Sequence, residues 1–218
     1  MMDTDFVISL IAGEKRSKRS RQAQVGPSEI GGCRRRTWHR LQGTPVVNPD
    51  TLIMAAWMGT AIHKDLERRL TMRDPFGDRY EIEVAVEHNG LRGHVDVYDK
   101  QDREVIDWKT STKSGLKDFP SEQQRTQVQL YGYLLNATGK PVDNVTLVGL
   151  PRDGNETHIQ VHTEPYDPAI AEAGLEWLRD VQSREDPPEP EKHRRFCVHY
   201  CNFYDASAEV GCPGMGGR

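Results

Sequence analysis

The chain has no apolar run approaching the length of a membrane-spanning helix, so an integral helical membrane protein is not the expected class. Its first ten residues carry Asp3 and Asp5 and lack the basic stretch ahead of an apolar core that a signal peptide needs. An intracellular, cytoplasmic protein is therefore expected. Positive charge is not in surplus either: 29 Lys and Arg stand against 33 Asp and Glu, a formal charge of -4, which gives no global case for nucleic-acid binding. Cysteine is scarce, with four in 218 residues, and the pattern is not that of a small disulfide-stapled secreted scaffold. No internal repeat is present.

What is there is concentrated locally. Lys15, Arg16, Lys18, Arg19 and Arg21 form one basic cluster, and Arg34, Arg35, Arg36 and Arg40 form another. Each can be a solvated face or part of a positively charged groove in an otherwise acidic enzyme. Three cysteines, Cys197, Cys201 and Cys212, crowd the end of the chain as C-x3-C-x10-C, and the fourth, Cys33, lies near its start. In a reducing compartment this clustering favours metal over disulfides, although the spacing is not a standard zinc-finger signature.

The length suits one well-packed domain with a small appendage. We divide it into residues 1–27, a short helix over 2–12 and a basic arm; 28–184, the core; and 185–218, a spacer with Pro187, Pro188 and Pro190 followed by the cysteine segment. Ser28 is a candidate N-cap for a helix running past Cys33 to Leu41, with Gly31 and Gly32 weighing against it. Asn48-Pro49-Asp50 opens a long helix reaching about Leu70 or Arg73. Its apolar stripe is Ala55, Met58, Ile62, Leu66 and Leu70, and Gly59, His63 and Glu67 share a neighbouring face. A strand over 79–87 turns at Asn89-Gly90 into a second strand. After a polar connection, Ser121 or Glu122 begins a helix to about Thr138, carrying Gln127 and Tyr131 on one face, where both can meet a substrate or the tyrosine can be an ordinary core residue of an amphipathic helix. A strand over 142–150, a turn at 151–154, a return strand over 157–163 and a helix over 168–181 complete the core. Ile170, Leu175 and Leu178 are that helix's expected buried residues.

The centre of this pattern is residues 90–99, GLRGHVDVYD, answered by Val105-Ile106-Asp107-Trp108-Lys109-Thr110. Both read as strands joined by a short polar connection. Antiparallel pairing brings Asp96 close to Asp107, with Lys109 two residues beyond. Two adjacent carboxylates repel, and the remedies are a raised pKa or a bound cation. A lysine on the same edge favours a hard divalent ion over a general-acid pair. A solvated hairpin face with an ordinary Lys–Asp pair is the competing reading of the spacing.

The ordered set Cys33 followed by basic residues, Gly59-x3-His63, Gly93-x2-Asp96, Asp107-x-Lys109, Gln127-x3-Tyr131 and three terminal cysteines resembles the RecB-like branch of the PD-(D/E)XK nucleases. Within it, the set is most similar to the iron-sulfur single-domain exonucleases found with CRISPR systems and in phages. The resemblance spans nearly the whole chain. It implies an α/β fold with a mixed central sheet flanked by helices, and a terminal region stapled by an iron-sulfur cluster. It implies that His63, Asp96 and Asp107 hold Mg2+ or Mn2+, with the Trp108 carbonyl a further ligand and Lys109 the active-site lysine. Gln127 and Tyr131 match an accessory motif that helps hold DNA. The four cysteines resemble ligands of a 4Fe-4S cluster, with zinc the less favoured metal. Glu67 and Glu83 are extra acidic candidates near the nuclease site, neither assigned as a direct ligand. The terminal spacing departs from the more familiar C-x2-C-x5-C.

The activity implied is metal-dependent DNA exonuclease action on single strands or DNA ends, with 5'-to-3' polarity favoured by resemblance only. The alternatives are a DNA-end-processing or DNA-binding subunit of a CRISPR or recombination complex, and a structure-specific endonuclease. Partners implied are DNA, CRISPR integration or recombination proteins, and further copies of the chain, in the host cytoplasm if phage-encoded.

Overall fold

A computed structural model of the chain describes residues 11, 25–48, 53–191 and 194–215. All but residue 11 of the expected N-terminal helix, the basic arm behind it, and Pro49-Asp50 fall outside the described residues. The regular elements are α1 (Arg34–Leu41), α2 (Ile53–Arg73), β1 (Tyr80–His88), β2 (Leu91–Asp99), β3 (Glu104–Ser111), α3 (Glu122–Ala137), β4 (Asn144–Pro151), β5 (Gln160–Pro165), α4 (Pro168–Ser183) and α5 (Arg194–Tyr200). They fall into two compact units. One comprises Gly26–Gly31 and Gly59–Arg179; the other takes in Gly32–Met58 and Asp180–Arg218.

The first unit is built on a five-stranded mixed sheet in the order β1-β2-β3-β4-β5. Asn89 and Gly90 both take positive φ, 48° and 80°, as the tight turn between β1 and β2 requires, and His88 pairs with Leu91 across it. The next connection is fixed by Asp99. Its Oδ1 accepts the backbone N–H groups of Gln101 and Asp102, and its Oδ2 takes the Arg79 guanidinium at 2.7 Å. β3 and β4 run parallel, so a crossover must join them, and α3 supplies it. β5 returns antiparallel to β4.

α3 starts where its residues say it should. Ser121 Oγ accepts the Gln124 N–H while Gln124 Oε1 accepts the Ser121 N–H, a reciprocal cap. The helix lies against β1 to β4. Its Val128, Leu130, Leu134 and Leu135 are fully buried, as are Val95, Val97, Val105, Val145 and Leu147 of the sheet. Gly174 of α4 is buried against Thr126, Leu130 and Ile30, where a Cβ would lie 2.9 Å from Thr126 Cγ2.

Three expectations change. The helix anticipated from Ser28 to Leu41 is a short 3-10 turn at Pro27–Glu29 and then α1, because Gly31 at φ 78° takes the left-handed conformation that ends helical progress. The buried stripe of α4 is Ala171, Gly174, Leu178 and Val181, with Ile170 and Leu175 on its half-buried shoulders. The return strand starts at Gln160, since Asn155 caps a 3-10 turn over Glu156–His158.

Leu134 sits at the centre of the layer with no exposed surface. Leu134→Ala is expected to lower unfolding free energy by about 2–5 kcal/mol, the cost of lost transfer energy plus a cavity. Urea denaturation followed by circular dichroism measures it.

Candidate active site

The strand pair that carries the candidate carboxylates parts where they sit. β2 and β3 pair at Asp99/Glu104, Tyr98/Val105 and Val97/Ile106. One step further the ladder stops, and the N–H of Trp108 is taken by Asp96 Oδ2 at 2.8 Å. A buried backbone donor must find an acceptor, and here a side-chain carboxylate replaces the neighbouring strand. β3 stays in register with β4 as far as Ser111/Pro151, so Asp107 and Lys109 remain on a fixed strand while β2 departs.

Asp107 is 2 % exposed, and Nζ of Lys109 lies 2.6 Å from its Oδ2. That contact is an ion pair without aligned hydrogen-bond geometry, and among the described residues Oδ2 has no hydrogen-bond partner. Burial pushes the Asp107 carboxyl above the usual carboxylate range; Lys109 opposes that push and the negative charge of Asp96 adds to it. His63 projects from α2, its Nδ1 3.6 Å from Asp96 Oδ2. The Asp96 carboxylate raises the His63 pKa above its ordinary 6.5, against the opposing effect of burial.

Gly59 explains how α2 comes so near. A Cβ at this position would stand 3.0 Å from Thr110 Oγ1 on β3, so the helix lies close to the strand one turn before His63. One turn after His63, the Glu67 pKa is raised by burial and then by the charge of Glu83. Glu83 faces Asp96 across β1 and β2 in register, at a φ of 51° that breaks the strand pairing there.

Gln127 and Tyr131 are placed differently from the sequence expectation. Each is only 6 % exposed. The Gln127 side-chain amide donates to Tyr131 Oη at 3.1 Å and to Asp107 Oδ1 at 3.4 Å. The structure therefore joins them to Asp107 beneath the surface. Sequence reasoning missed this because helical spacing gives a shared face without saying what covers it.

The structure also gathers the four cysteines in one unit. Cys33 is the N-cap residue of α1. Cys197 and Cys201 lie one turn apart at the end of α5, where the Cys201 N–H donates to the Cys197 carbonyl at 3.2 Å. The ten residues that follow fold back on themselves. The Asp205 carboxylate accepts from the N–H groups of Ser207, Val210 and Gly211 and from Ser207 Oγ. The loop closes as Cys212 N–H donates to the Phe203 carbonyl at 2.6 Å and Asp205 N–H to the Cys212 carbonyl at 2.8 Å. The unfamiliar x10 spacing is thus absorbed in a closed turn that returns Cys212 toward Cys201. None of the four is in a disulfide, and burial raises the pKa of Cys201 and Cys212. Gly214 N–H donates to Cys212 Sγ at 3.3 Å.

As the side chains stand, no three His, Cys, Asp or Glu among the described residues converge on a single metal position. What fits a hard cation is the donor chemistry of His63, Asp96 and Asp107, with the buried Asp107 Oδ2 already facing the Lys109 ammonium at 2.6 Å. What fits a soft metal group is a set of four cysteines outside any disulfide, three of them buried.

The PD-(D/E)XK nuclease superfamily model matches residues 63–206, the span from His63 through the strands to the second terminal cysteine. The chain belongs to the PD-(D/E)XK nuclease superfamily. Such a nuclease chain is also similar in fold to three solved structures. The crystal structure of SSO0001 matches at 20 % identity and a TM-score of 0.62, covering 100 % of this chain and 99 % of that one. The alkaline exonuclease LHK-Exo from Laribacter hongkongensis matches at 15 % identity and a TM-score of 0.50, over 76 % of this chain and 91 % of the other. Its complex with dAMP gives 15 % and 0.51, over 75 % and 90 %. No curated protein sequence matches the chain.

The His63–Asp96 contact has a pH signature. A raised pKa makes the contact stabilising below pH 6.5, and that stabilisation is lost as pH rises through the elevated folded value. In metal-free protein, an NMR titration is expected to place the His63 midpoint above 6.5, and Asp96→Asn to bring it down.

Proposed function

We propose that this nuclease is a divalent-metal-dependent deoxyribonuclease that shortens DNA from an end. The observation that carries the reading is Asp107, buried beside Lys109, with an oxygen that no hydrogen bond satisfies, at the point where two strands part toward Asp96 and His63. A solvated Lys–Asp pair would not bury its carboxylate.

In this reading His63, Asp96 and Asp107 hold Mg2+ or Mn2+, with the Trp108 carbonyl as a further donor. When bound, the ion polarises a phosphate oxygen and makes a water nucleophilic near neutral pH. The remaining work belongs to the chain. Asp96, anchored by the Trp108 N–H, fixes one carboxylate direction. Lys109 sets positive charge where negative charge grows on the scissile phosphate. Its position on a strand paired along its length to β4 keeps it in place before substrate arrives. Burial of Asp107 lowers the local dielectric and strengthens each of these interactions.

Exonuclease action is favoured over endonuclease action by the resemblance of the ordered motifs to the single-domain exonucleases. LHK-Exo, an alkaline exonuclease of similar fold also solved with dAMP, supports the same choice. Single-stranded DNA or free ends are the proposed substrates, with 5'-to-3' polarity. The cysteines have a separate task. Cys33, Cys197, Cys201 and Cys212 hold a 4Fe-4S cluster. Its thiolates bind different iron atoms and do not need to converge on one. Such a cluster joins the two chain segments of its unit across a long loop and therefore supports folding more than chemistry.

Two measurements test these assignments. A Mg2+ or Mn2+ time course on end-labelled single- and double-stranded DNA should show progressive shortening. Asp107→Ala or Lys109→Ala, correctly folded, should slow it by at least about 10²–10³-fold. Cutting of closed circles would replace the exonuclease with an endonuclease, and intact DNA throughout would overturn the enzymatic reading. For the cluster, anaerobically purified protein should contain iron and acid-labile sulfide. Cys212→Ser should lose both and melt at lower temperature, whereas Lys109→Ala should keep both iron and sulfide. Zinc without iron would refute the cluster.

A further inference from the structure

Gly93 lies three residues before Asp96 on β2, in ordinary extended backbone that any residue can adopt. Its requirement for glycine is one of space. A Cβ there would stand 2.7 Å from Cε1 of Tyr131 and 3.2 Å from Cγ of Pro27, far inside contact distance for the ring. Tyr131 thus presses the edge of its ring onto the β2 backbone, where a side chain would otherwise be. One helical turn earlier on the same face of α3, the Gln127 amide lies between Tyr131 Oη at 3.1 Å and Asp107 Oδ1 at 3.4 Å. Three elements of one compact unit are linked in this way: β2 through Gly93, α3 through Tyr131 and Gln127, and β3 through Asp107.

We propose that Gly93, Tyr131 and Gln127 form a brace that sets the position of the Asp107 carboxylate, and that the Gln127–Tyr131 pair acts on metal placement and does not touch DNA. The proposal rests on Asp107 being a metal ligand. Both side chains are too deeply buried to meet a nucleic-acid strand without rearrangement of α3. A buried carboxylate, by contrast, depends on such a partner. It has lost water, one of its oxygens has no hydrogen bond, and its bond to Gln127 is long enough that a small displacement breaks it. The ring fixes Oη, Oη holds the amide, and the amide orients Asp107. Gly93 is a positioning residue of the same chain of contacts, since any side chain there moves the ring. Second-layer partners of this kind typically govern metal affinity by about 10–100-fold.

The test measures Mn2+ binding to metal-free protein by isothermal titration calorimetry, and DNA binding by fluorescence anisotropy in EDTA. Tyr131→Phe, which keeps the ring and removes one oxygen, and Gln127→Leu should each weaken Mn2+ binding about 10-fold or more. Both should leave metal-free DNA affinity within about twofold. Gly93→Ala should weaken Mn2+ binding comparably, and Gly93→Ala/Tyr131→Leu should bind no worse than Tyr131→Leu alone, because the clashing ring atom is gone. Should Gly93→Ala fail to fold, Tyr131→Phe and Gln127→Leu still decide the question. Weakened DNA binding with unchanged Mn2+ affinity would overturn the brace in favour of a substrate contact, and additive losses in the double variant would sever Gly93 from it. Parent protein that binds no Mn2+, with Asp107→Ala behaving identically, would instead bring down the metal-ligand reading beneath the proposal.

Discussion

A carboxylate taken almost entirely out of water constrains everything near it. Asp107 is held on a strand bound along its length to β4, with a lysine against one oxygen and a glutamine amide near the other. Burial of an ion is tolerable only with compensation of this kind, and here the compensation is incomplete. The remaining shortfall is at Oδ2, which rests on the Lys109 ammonium and on no hydrogen bond. Asp96 cannot make it good, because an ionised carboxylate has no hydrogen to donate, and its charge adds to the cost of ionising Asp107.

The fold is arranged to keep this deficit open. Continuous pairing of β2 with β3 would have placed backbone where the site lies, so the ladder stops one step short of the two carboxylates. Two glycines work toward the same end by absence of bulk. Gly59 brings α2 onto β3 so that His63 arrives beside Asp96, and Gly93 admits the ring of Tyr131 to the β2 backbone. The parallel pairing of β3 and β4 has its own consequence. It requires a crossover, and the crossover helix lays Gln127 over the carboxylate.

Two donor chemistries are kept apart. Hard oxygen and imidazole donors sit in the unit built on the sheet, while the four thiols belong to the other unit. The Asp205 loop shows how sequence spacing can mislead in the thiol unit. A carboxylate that gathers several N–H donors closes ten residues into a turn, so the distance between Cys201 and Cys212 along the chain exceeds what separates their ends in space. The same bonds hold the Asp205 carboxyl well below its ordinary pKa.

The elements governed by local rules were readable from the sequence. Asn89-Gly90 demands left-handed backbone and gave its hairpin. Ser121 with Gln124 gave the start of α3, and alternation placed β2 and β3 with Asp96 and Asp107 side by side. The ordered motifs were sufficient to anticipate the nuclease superfamily. Other features depended on distances between segments remote in sequence, which no local pattern encodes. Gly31 could have been tolerated within a helix, and only its actual φ shows that the helix is broken there. The burial of Gln127 and Tyr131, the space denied to a side chain at Gly93, and the unsatisfied oxygen of Asp107 follow from how α3 settles on β2 and β3. Spacing along a chain fixes which residues share a face; only packing decides whether that face meets water, a ligand or another side chain.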